Sequence, residues 1–273
     1  MRKIGIIGYG VVGKAAANTL EKEYNVVKYD KYQDLDSFSN LLDCDFVFIM
    51  VPTPFDCKKN VVDDSAITES LDKLREIGFE NTIIIKSTVP PGTCKGYLEK
   101  YNMNIVFNPE FLRESTTPNE DFENQDTIVI GTENADIFES VKSMYAPVTV
   151  TDAKYFHTTT TEAEMIKCGQ NTMLASRVAL ANMIYEACKN HQIDYARIRD
   201  IAFSRFELIG PHMTQVPGPD GNLGFGGKCL PKDIRAFSTV HDSSLLQEII
   251  EYNDSLRDDL ASVLFNFEEK NKN

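Results

Sequence analysis

A glycine-rich turn near the start of the chain most strongly constrains the fold. Residues 8–13 read Gly-Tyr-Gly-Val-Val-Gly, and they stand between an apolar run at 3–7 and a helix-compatible pattern at 11–22. In this G-x-G-x-x-G spacing, the glycines allow a tight turn and close packing of the helix on the strand. The pattern therefore predicts a strand–turn–helix unit, the first element of a doubly wound α/β domain.

Short apolar runs alternate with helical patterns through the first 150 residues. The predicted strands cover residues 3–7, 25–29, 45–51, 82–86, 104–107 and 127–130. Their continuous Val, Ile and Phe content is typical of parallel strands that are covered on both faces. We therefore predict a Rossmann-type doubly wound parallel sheet over residues 1–150.

The remainder of the chain has a helical pattern, apart from a Gly- and Pro-rich stretch at 208–231. Thr161 followed three residues later by Glu164 indicates a capping box at the start of a long helix. A final amphipathic helix is predicted over 243–267. Residues 151–273 are thus expected to form an all-α domain.

An acidic residue defines the expected cofactor. Asp30 ends the second predicted strand, where a carboxylate binds the ribose 2′-hydroxyl of NAD and repels the 2′-phosphate of NADP. Asp34 is a weaker candidate for the same role. The pyrophosphate would lie against amides at the helix N-terminus. The predicted contacts to NAD come from Gly8, Gly10, Val11, Val12, Gly13 and Asp30.

The net charge, the hydropathy and the cysteine spacing argue against a nucleic-acid-binding, membrane-spanning or metal-binding protein. The chain has 28 basic and 41 acidic side chains, a net charge of −13, whereas a nucleic-acid binder needs a basic face. It has no apolar stretch of about 18 residues that could span a membrane. Its six cysteines and four histidines show no metal-ligand spacing, so no metal site is predicted. A reduced, cytoplasmic protein is expected.

Polar residues follow three of the predicted strands. Val-Pro-Thr-Pro occupies 51–54, Ser-Thr-Val-Pro-Pro-Gly-Thr occupies 87–93, and Asn-Pro-Glu-Phe-Leu-Arg-Glu occupies 108–114. Each is an ordinary turn or cap sequence when taken alone. Ligands of open α/β sheets, however, bind outside the carboxyl ends of the strands. The convergence of three such segments on one edge favours a role in the site.

Cys229 lies among residue types that favour a reactive thiol. Residues 224–233 read Gly-Phe-Gly-Gly-Lys-Cys-Leu-Pro-Lys-Asp, and Pro231 suits the first turn of a helix. Cys229 is therefore predicted at a helix N-terminus beside Lys228 and Lys232, where dipole and cations favour the thiolate. Inert thiols are predicted at the other five positions, which are Cys44, Cys57, Cys94, Cys168 and Cys188.

A thiolate beside an NAD site suggests a defined chemistry. It can add to an aldehyde, and loss of hydride from the thiohemiacetal gives a thioester that water hydrolyses. This route needs an oxyanion stabiliser and a base. Lys167 and Asn171 share a face of the long helix and are candidates for the stabiliser; the alternative is that both are exposed structural residues.

Together these motifs resemble the UDP-glucose/GDP-mannose dehydrogenase family from Gly8 through Arg257, most specifically at 224–233. The resemblance implies that NAD also contacts Thr53, Thr88 and Glu114.

The resemblance also implies the catalytic roles. Cys229 would form the thiohemiacetal and the thioester, and Glu110 would act through water as the base for hydrolysis, with Thr88 helping to hold that water. Lys167 and Asn171 would stabilise the oxyanion. Asp233 would help to activate water or hold the surroundings of the thiol. The implied substrate contacts come from Phe111, Leu112, Arg113, Lys167, Asn171, Gly224, Phe225, Gly226 and Gly227.

The implied reaction is the four-electron oxidation of a sugar CH2OH to a carboxylate, with UDP-glucose as the expected substrate. The helical part is expected to form a homodimer, because the helix at 162–189 and the last helix carry more apolar face than one small domain needs; the alternative is that these two helices pack on each other within the chain. Two departures from the family stand out. The arginine that usually precedes the substrate loop is lost or replaced by Arg205. The family's C-terminal nucleotide-binding domain is expected to be absent, unless a second chain supplies it.

Other functions are compatible with the same pattern. GDP-mannose or UDP-N-acetyl-sugar dehydrogenases share the chemistry, and sequence alone does not separate them. A two-electron hydroxyacid dehydrogenase would share the architecture, but it needs no counterpart of Cys229. A non-catalytic protein that binds NAD or a sugar nucleotide is the alternative outside the enzymes.

Overall fold

The computed structural model describes residues 2–112 and 117–257 of the 273-residue chain. The predicted residues Arg113 and Glu114, and the end of the predicted last helix, lie outside this range. The chain divides into two compact units, which we describe separately. Unit 1 comprises residues 1–53 and 63–167, and unit 2 comprises residues 54–62 and 168–273.

Unit 1 contains a seven-stranded sheet and its flanking helices. The strands are β1 (Lys3–Ile7), β2 (Asn25–Tyr29), β3 (Phe46–Ile49), β6 (Thr82–Ile85), β7 (Ile105–Phe107), β8 (Thr127–Gly131) and β9 (Lys154–Thr158). The helices are α1 (Val11–Leu20), α2 (Ser65–Glu76), α3 (Thr93–Tyr101), α4 (Pro118–Glu123), α5 (Ala135–Tyr145) and the start of α6 (Thr160–Asn190). Two short 3-10 helices span Phe38–Asp43 and Ala146–Val148.

The strand order is β2-β1-β3-β6-β7-β8-β9. Neighbouring strands pair in parallel, except β7 and β8, which pair antiparallel where Phe107 faces Gly131. The predicted fold class is therefore confirmed, with one antiparallel junction added. β9 was not predicted, because its residues are mostly exposed and form no apolar run. The predicted boundary at residue 150 would leave this strand out of the sheet that it completes.

Both faces of the sheet are buried, as the continuous apolar strands predict. Alternate residues of β3 enter two different cores: Phe46 and Phe48 pack with α1, α4 and α5, while Val47 and Ile49 pack with α2 and α3. This division is the side-chain alternation of a strand covered on both sides.

The start of α6 corrects one local prediction. Thr159, not Thr161, forms the capping box: its hydroxyl accepts a hydrogen bond from the Glu162 amide, and the Glu162 carboxylate accepts one from the Thr159 amide. Glu164 is fully buried, and its carboxylate accepts hydrogen bonds from the amides of Gly92 and Cys94 at the N-terminus of α3. Glu164, which the sequence pattern assigned to a local helix cap, therefore makes a tertiary contact with α3 instead.

Unit 2 is helical apart from a small hairpin. It contains β4 (Phe55–Asp56) and β5 (Val61–Val62), the rest of α6, α7 (Tyr195–Arg199), a π-helical turn at Asp200–Ser204, α8 (Leu230–Ser238) and α9 (Ser244–Ser255). Its core joins α6, α8 and α9 through Ala175, Ile234, Leu246 and Ile250. None of the helices in the described ranges is long and apolar enough to cross a membrane.

Candidate functional site

The glycine turn between β1 and α1 has the geometry that its spacing predicts. Gly8 has a φ of +95°, and a Cβ there would lie 2.4 Å from the Met50 carbonyl oxygen. A Cβ on Gly13 would lie 2.0 Å from the Gly8 oxygen, so helix and turn are in direct backbone contact. Gly10 caps α1 without a side-chain hydrogen bond, and a Cβ there would meet no atom within 4 Å. The turn therefore leaves room for a phosphate against the amides of α1.

Asp30 lies at the turn, as predicted. Its Oδ2 accepts a hydrogen bond from the Tyr9 amide at 2.8 Å, and its Oδ1 accepts one from the Tyr32 amide at 2.9 Å. Each carboxylate oxygen retains acceptor capacity, which suits a ribose diol. Asp34, the weaker candidate, is exposed. The open Gly10 position and the carboxylate of Asp30 together fit NAD.

Two of the predicted strand-end segments are joined by hydrogen bonds. The Thr53 hydroxyl donates to the Thr88 carbonyl oxygen, and the Ser87 hydroxyl donates to the Val51 carbonyl oxygen, both at 2.7 Å. Thr53 is buried and Thr88 is half-buried. The segments after β3 and β6 therefore form one connected edge of unit 1, although contacts of these threonines with NAD stay a prediction.

The third segment carries a buried charge cluster that the sequence analysis missed in part. Glu110 Oε1 accepts hydrogen bonds from the amides of Phe111 at 2.8 Å and Leu112 at 3.2 Å. Its Oε2 lies 3.1 Å from Nζ of Lys86, whose side chain is fully buried. The Lys86 ammonium also donates to Asn108 Oδ1 at 2.8 Å. Burial lowers the pKa of Lys86, and the Glu110 carboxylate opposes that effect. A lysine at the end of an apolar run was the available sequence signal.

Lys167 lies near this segment. Its Nζ is 5.4 Å from the centre of the Phe111 ring, and the residue is buried. Asn171 is buried as well, so the alternative of two exposed structural residues is wrong.

In unit 2, Cys229 is the N-cap residue of α8 and is exposed, as predicted. Asp233 is 1% exposed, and its Oδ2 accepts a hydrogen bond from Asn171 Nδ2. Its Oδ1 lies 2.5 Å from Lys232 Nζ. Lys232 is therefore engaged by Asp233, and Lys228 is the exposed cation next to the thiol in sequence. The structure brings Asn171 and Asp233 together, which the sequence did not indicate.

The glycine loop before Cys229 is held by two asparagines that sequence reasoning missed. The Gly224 amide donates to Asn182 Oδ1 at 3.0 Å. The Phe225 amide donates to Asn253 Oδ1 at 2.6 Å, and Asn253 Nδ2 donates to the Phe225 carbonyl oxygen at 3.1 Å. Arg257 packs under the loop, since a Cβ on Gly226 would lie 2.4 Å from its guanidinium carbon. A polar residue within the apolar stripe of α9 was the signal for Asn253.

Two predicted residues are placed differently from their suggested roles. The Phe225 side chain is buried in the core of unit 2, so only its backbone is available to line a substrate site. Arg205 is exposed and lies 3.8 Å from Asp200.

The other five cysteines are less exposed than Cys229, and their lack of reactivity stays a prediction. Four of them are buried, and Cys57 is half-buried. Burial raises the pKa of Cys44 to about 11. Across the described part of the chain, no group of three or more His, Cys, Asp or Glu side chains could hold a metal ion.

A dinucleotide-binding unit followed by a helical unit with an N-cap cysteine defines a class, the NAD-dependent dehydrogenases. Comparison with known proteins identifies the family within this class. Residues 31–149 match the NAD binding domain of the UDP-glucose/GDP-mannose dehydrogenase family, and residues 161–255 match its central domain. The chain belongs to this family of NAD-dependent sugar-nucleotide dehydrogenases, and NAD is its cofactor.

Two bacterial relatives show the extent of the similarity. The chain is 35% identical over 254 residues to UDP-glucose 6-dehydrogenase of Rickettsia bellii, covering 87% of this chain and 56% of the relative. It is 32% identical to UDP-glucose 6-dehydrogenase of Campylobacter jejuni, covering 77% of this chain and 53% of the relative. The chain thus spans about half the length of these relatives. Nothing in them supports a separate chain that supplies the remainder.

Solved structures show the same fold. A UDP-glucose dehydrogenase from the archaeon Pyrobaculum islandicum superposes with a TM-score of 0.80 at 25% identity, covering 93% of this chain and 68% of that one. A UDP-D-ManNAc dehydrogenase from Pyrococcus horikoshii superposes with a TM-score of 0.82 at 19% identity, with the same coverage. The second likeness bears on the fold alone.

Proposed function

We propose that this chain carries the catalytic machinery of an NAD-dependent nucleotide-sugar 6-dehydrogenase, and that UDP-glucose is its substrate. The supporting observation is the exposed N-cap thiol of Cys229, followed one helical turn later by a buried Asp233 that binds Asn171. A helix N-terminus favours a thiolate nucleophile. The relatives named UDP-glucose 6-dehydrogenase favour this sugar nucleotide over GDP-mannose and UDP-N-acetyl sugars.

The reaction converts the sugar CH2OH and water to a carboxylate, with two hydrides transferred and three protons released. Bound NAD supplies the hydride acceptor. In the proposed sequence, the Cys229 thiolate adds to the aldehyde carbon formed by the first oxidation. Loss of the second hydride from the thiohemiacetal leaves a thioester. A water then gives a proton to Glu110 and attacks the thioester carbon; the C–S bond breaks, and the thiolate leaves.

The buried amide of Asn171 is suited to stabilise the oxyanion of this sequence. Its Nδ2 has two hydrogens, and one of them is held by Asp233. The carboxylate therefore sets the orientation of the amide. The second hydrogen has no acceptor among the described residues and is suited to a developing negative charge. Lys167 would supply a positive charge for the same oxygen.

The test counts NADH per sugar. Purified chain is mixed with NAD and limiting UDP-glucose, beside Cys229→Ser and the matched thiol control Cys57→Ser. We expect two NADH per UDP-glucose for the wild type and the control, and none for Cys229→Ser. One NADH per sugar that survives Cys229→Ser would indicate a two-electron enzyme. NADH formation with GDP-mannose or a UDP-N-acetyl sugar only would reassign the substrate. No NADH with any sugar nucleotide would favour a non-catalytic binding protein.

We also propose that the chain forms a homodimer through α6. Met173, Leu180 and Met183 lie along the part of this helix in unit 2 and are 66%, 55% and 52% exposed. Their spacing of seven and three residues places them on one face of the helix. Exposed apolar residues on one face of a helix are typical of an interface between helices.

A further inference from the structure

Lys86, directly after β6, is a buried cation that the proposed mechanism does not use. Its side chain is fully buried, and an ammonium group removed from water is unfavourable unless it is paired and hydrogen-bonded. Its Nζ donates to Asn108 Oδ1, faces Glu110 Oε2 at 3.1 Å, and lies 5.5 Å from the centre of the Phe122 ring. The charge is therefore held in one place by two oxygens and an aromatic face.

The surroundings of Lys86 are joined by buried hydrogen bonds. Asn108 Oδ1 also accepts a hydrogen bond from the Tyr145 hydroxyl at 2.6 Å, and its Nδ2 donates to the Val129 carbonyl oxygen at 2.7 Å. The amide of Asn108 is thus oriented by three partners: Lys86 directly after β6, Tyr145 in α5 and Val129 in β8. Asn108 and Tyr145 are both buried, so water does not compete for these bonds.

The two oxygens of Glu110 have different environments. Oε1 is occupied by the amides of Phe111 and Leu112. Oε2 is buried and accepts no hydrogen bond of regular geometry from the described residues, although Lys86 lies close to it. Oε2 is therefore the oxygen that keeps acceptor capacity, and the Lys86 ammonium faces it.

We propose that Lys86 is a positioning residue for Glu110: its buried ammonium holds the carboxylate in the orientation in which it takes a proton from water. This inference rests on the proposed function, in which Glu110 is the base for thioester hydrolysis. Burial lowers the pKa of Lys86, while the Glu110 carboxylate raises it, so the carboxylate favours the charged form of Lys86.

The first test separates hydrolysis from the hydride steps. With saturating NAD and UDP-glucose, NADH release is followed by rapid mixing, and the Cys229 adduct is measured by intact-protein mass spectrometry after an acid quench. Glu110→Gln should give a burst of NADH and a stalled thioester adduct. Lys86→Met, which removes the charge with little change of shape, should do the same, with kcat at least tenfold lower and KM within threefold. The control Lys73→Met removes a lysine paired with Glu69 on α2 and should behave as the wild type.

The double variant tests coupling. Lys86→Met in the Glu110→Gln background should be no slower than Glu110→Gln alone, because Lys86 then has no base to position. The proposal would be overturned if the two substitutions lowered kcat by factors that multiply in the double variant. It would also be overturned if Lys86→Met lowered the rate of the NADH burst and the steady-state rate equally. If Lys86→Met does not fold, Lys86→Gln keeps a donor for Asn108 and carries the same expectations.

A stability cycle separates this inference from the proposed function. If the wild type forms no NADH, the proposed function fails, and urea midpoints of the same four proteins still test the pair. Lys86→Met should then lower the urea midpoint markedly when Glu110 is present. In the Glu110→Gln background the decrease should be less than half as large, because no carboxylate is left without a facing cation there. Equal losses in both backgrounds would show that Lys86 does not hold Glu110.

Discussion

Replacing Asn253 by alanine should destabilise unit 2 through two backbone groups of the glycine loop. Asn253 is fully buried, and its side chain amide pairs with both the N–H and the C=O of Phe225. Gly224 and Phe225 are buried as well, so water does not replace the lost partner. Each buried backbone group left without a partner costs about 1–3 kcal/mol.

The higher helix propensity of alanine offsets about 0.6 kcal/mol of this destabilisation. The net destabilisation expected for Asn253→Ala is therefore about 1.4–5.4 kcal/mol. For a cooperative unit of about 100 residues, 1 kcal/mol lowers the melting temperature by about 4–8 °C. The melting temperature of unit 2 should thus fall by at least about 6 °C.

Differential scanning calorimetry of the whole chain measures this shift. Asn190→Ala is the matched control, because Asn190 is the exposed last residue of α6 and should change stability by less than about 0.5 kcal/mol. A melting temperature for Asn253→Ala that stays with that of the control would refute the reasoning. The loop before Cys229 would then be held by other contacts, such as Arg257 below Gly226.

Three further predictions follow from the described geometry. Gly13→Ala should weaken NAD binding at least tenfold and lower stability, because the new Cβ would lie 2.0 Å from the Gly8 oxygen; Gly10→Ala should fold normally and weaken only NAD binding, since its Cβ meets no protein atom. Calorimetric titration with NAD checks both, and unchanged binding by Gly13→Ala would contradict the turn geometry. The stabilising effect of the Cys44 thiol should be constant below about pH 9 and decline towards pH 11, because burial raises the pKa of Cys44 from 9.0 to about 11 and the unfolded chain loses the proton first. Unfolding free energies of wild type and Cys44→Ala against pH measure this, and a difference that does not change with pH would be inconsistent with it. Met173→Glu should convert the proposed dimer to monomer in light scattering, and a dimer that persists would place the interface elsewhere.

Local patterns predicted much of the dinucleotide-binding unit. The glycine turn, Asp30 and the continuous apolar strands depend on neighbours in sequence and on a repetitive fold, and the structure places them as expected. The strand β9 escaped prediction, because its side chains are mostly exposed and its stability comes from hydrogen bonds to β8. The placement of Cys229 at a helix N-cap was predictable from Pro231 and the glycines before it.

The hydrogen bonds and ion pairs around the candidate site were less predictable, since they join residues far apart in sequence. Glu164 has the spacing of a capping acid, yet it binds the start of α3, which lies 70 residues earlier. In the sequence, Lys86 is recognisable only as a charge after an apolar run. The order of the strands in the sheet decides that its neighbours are Glu110, Asn108 and Tyr145. Asn171 and Asp233 meet across 62 residues.

The sequence by itself determined the class of fold, the cofactor and the position of Cys229 at a helix N-cap, because each of these depends on short-range spacing and on the conformational limits of glycine and proline. Only the tertiary structure decided which buried polar groups face one another. A charge or amide that is removed from water must find a partner, and that partner is selected by packing of distant elements instead of by neighbours along the chain. The pairing of Lys86 with Glu110 and of Asn171 with Asp233 belongs to this second kind.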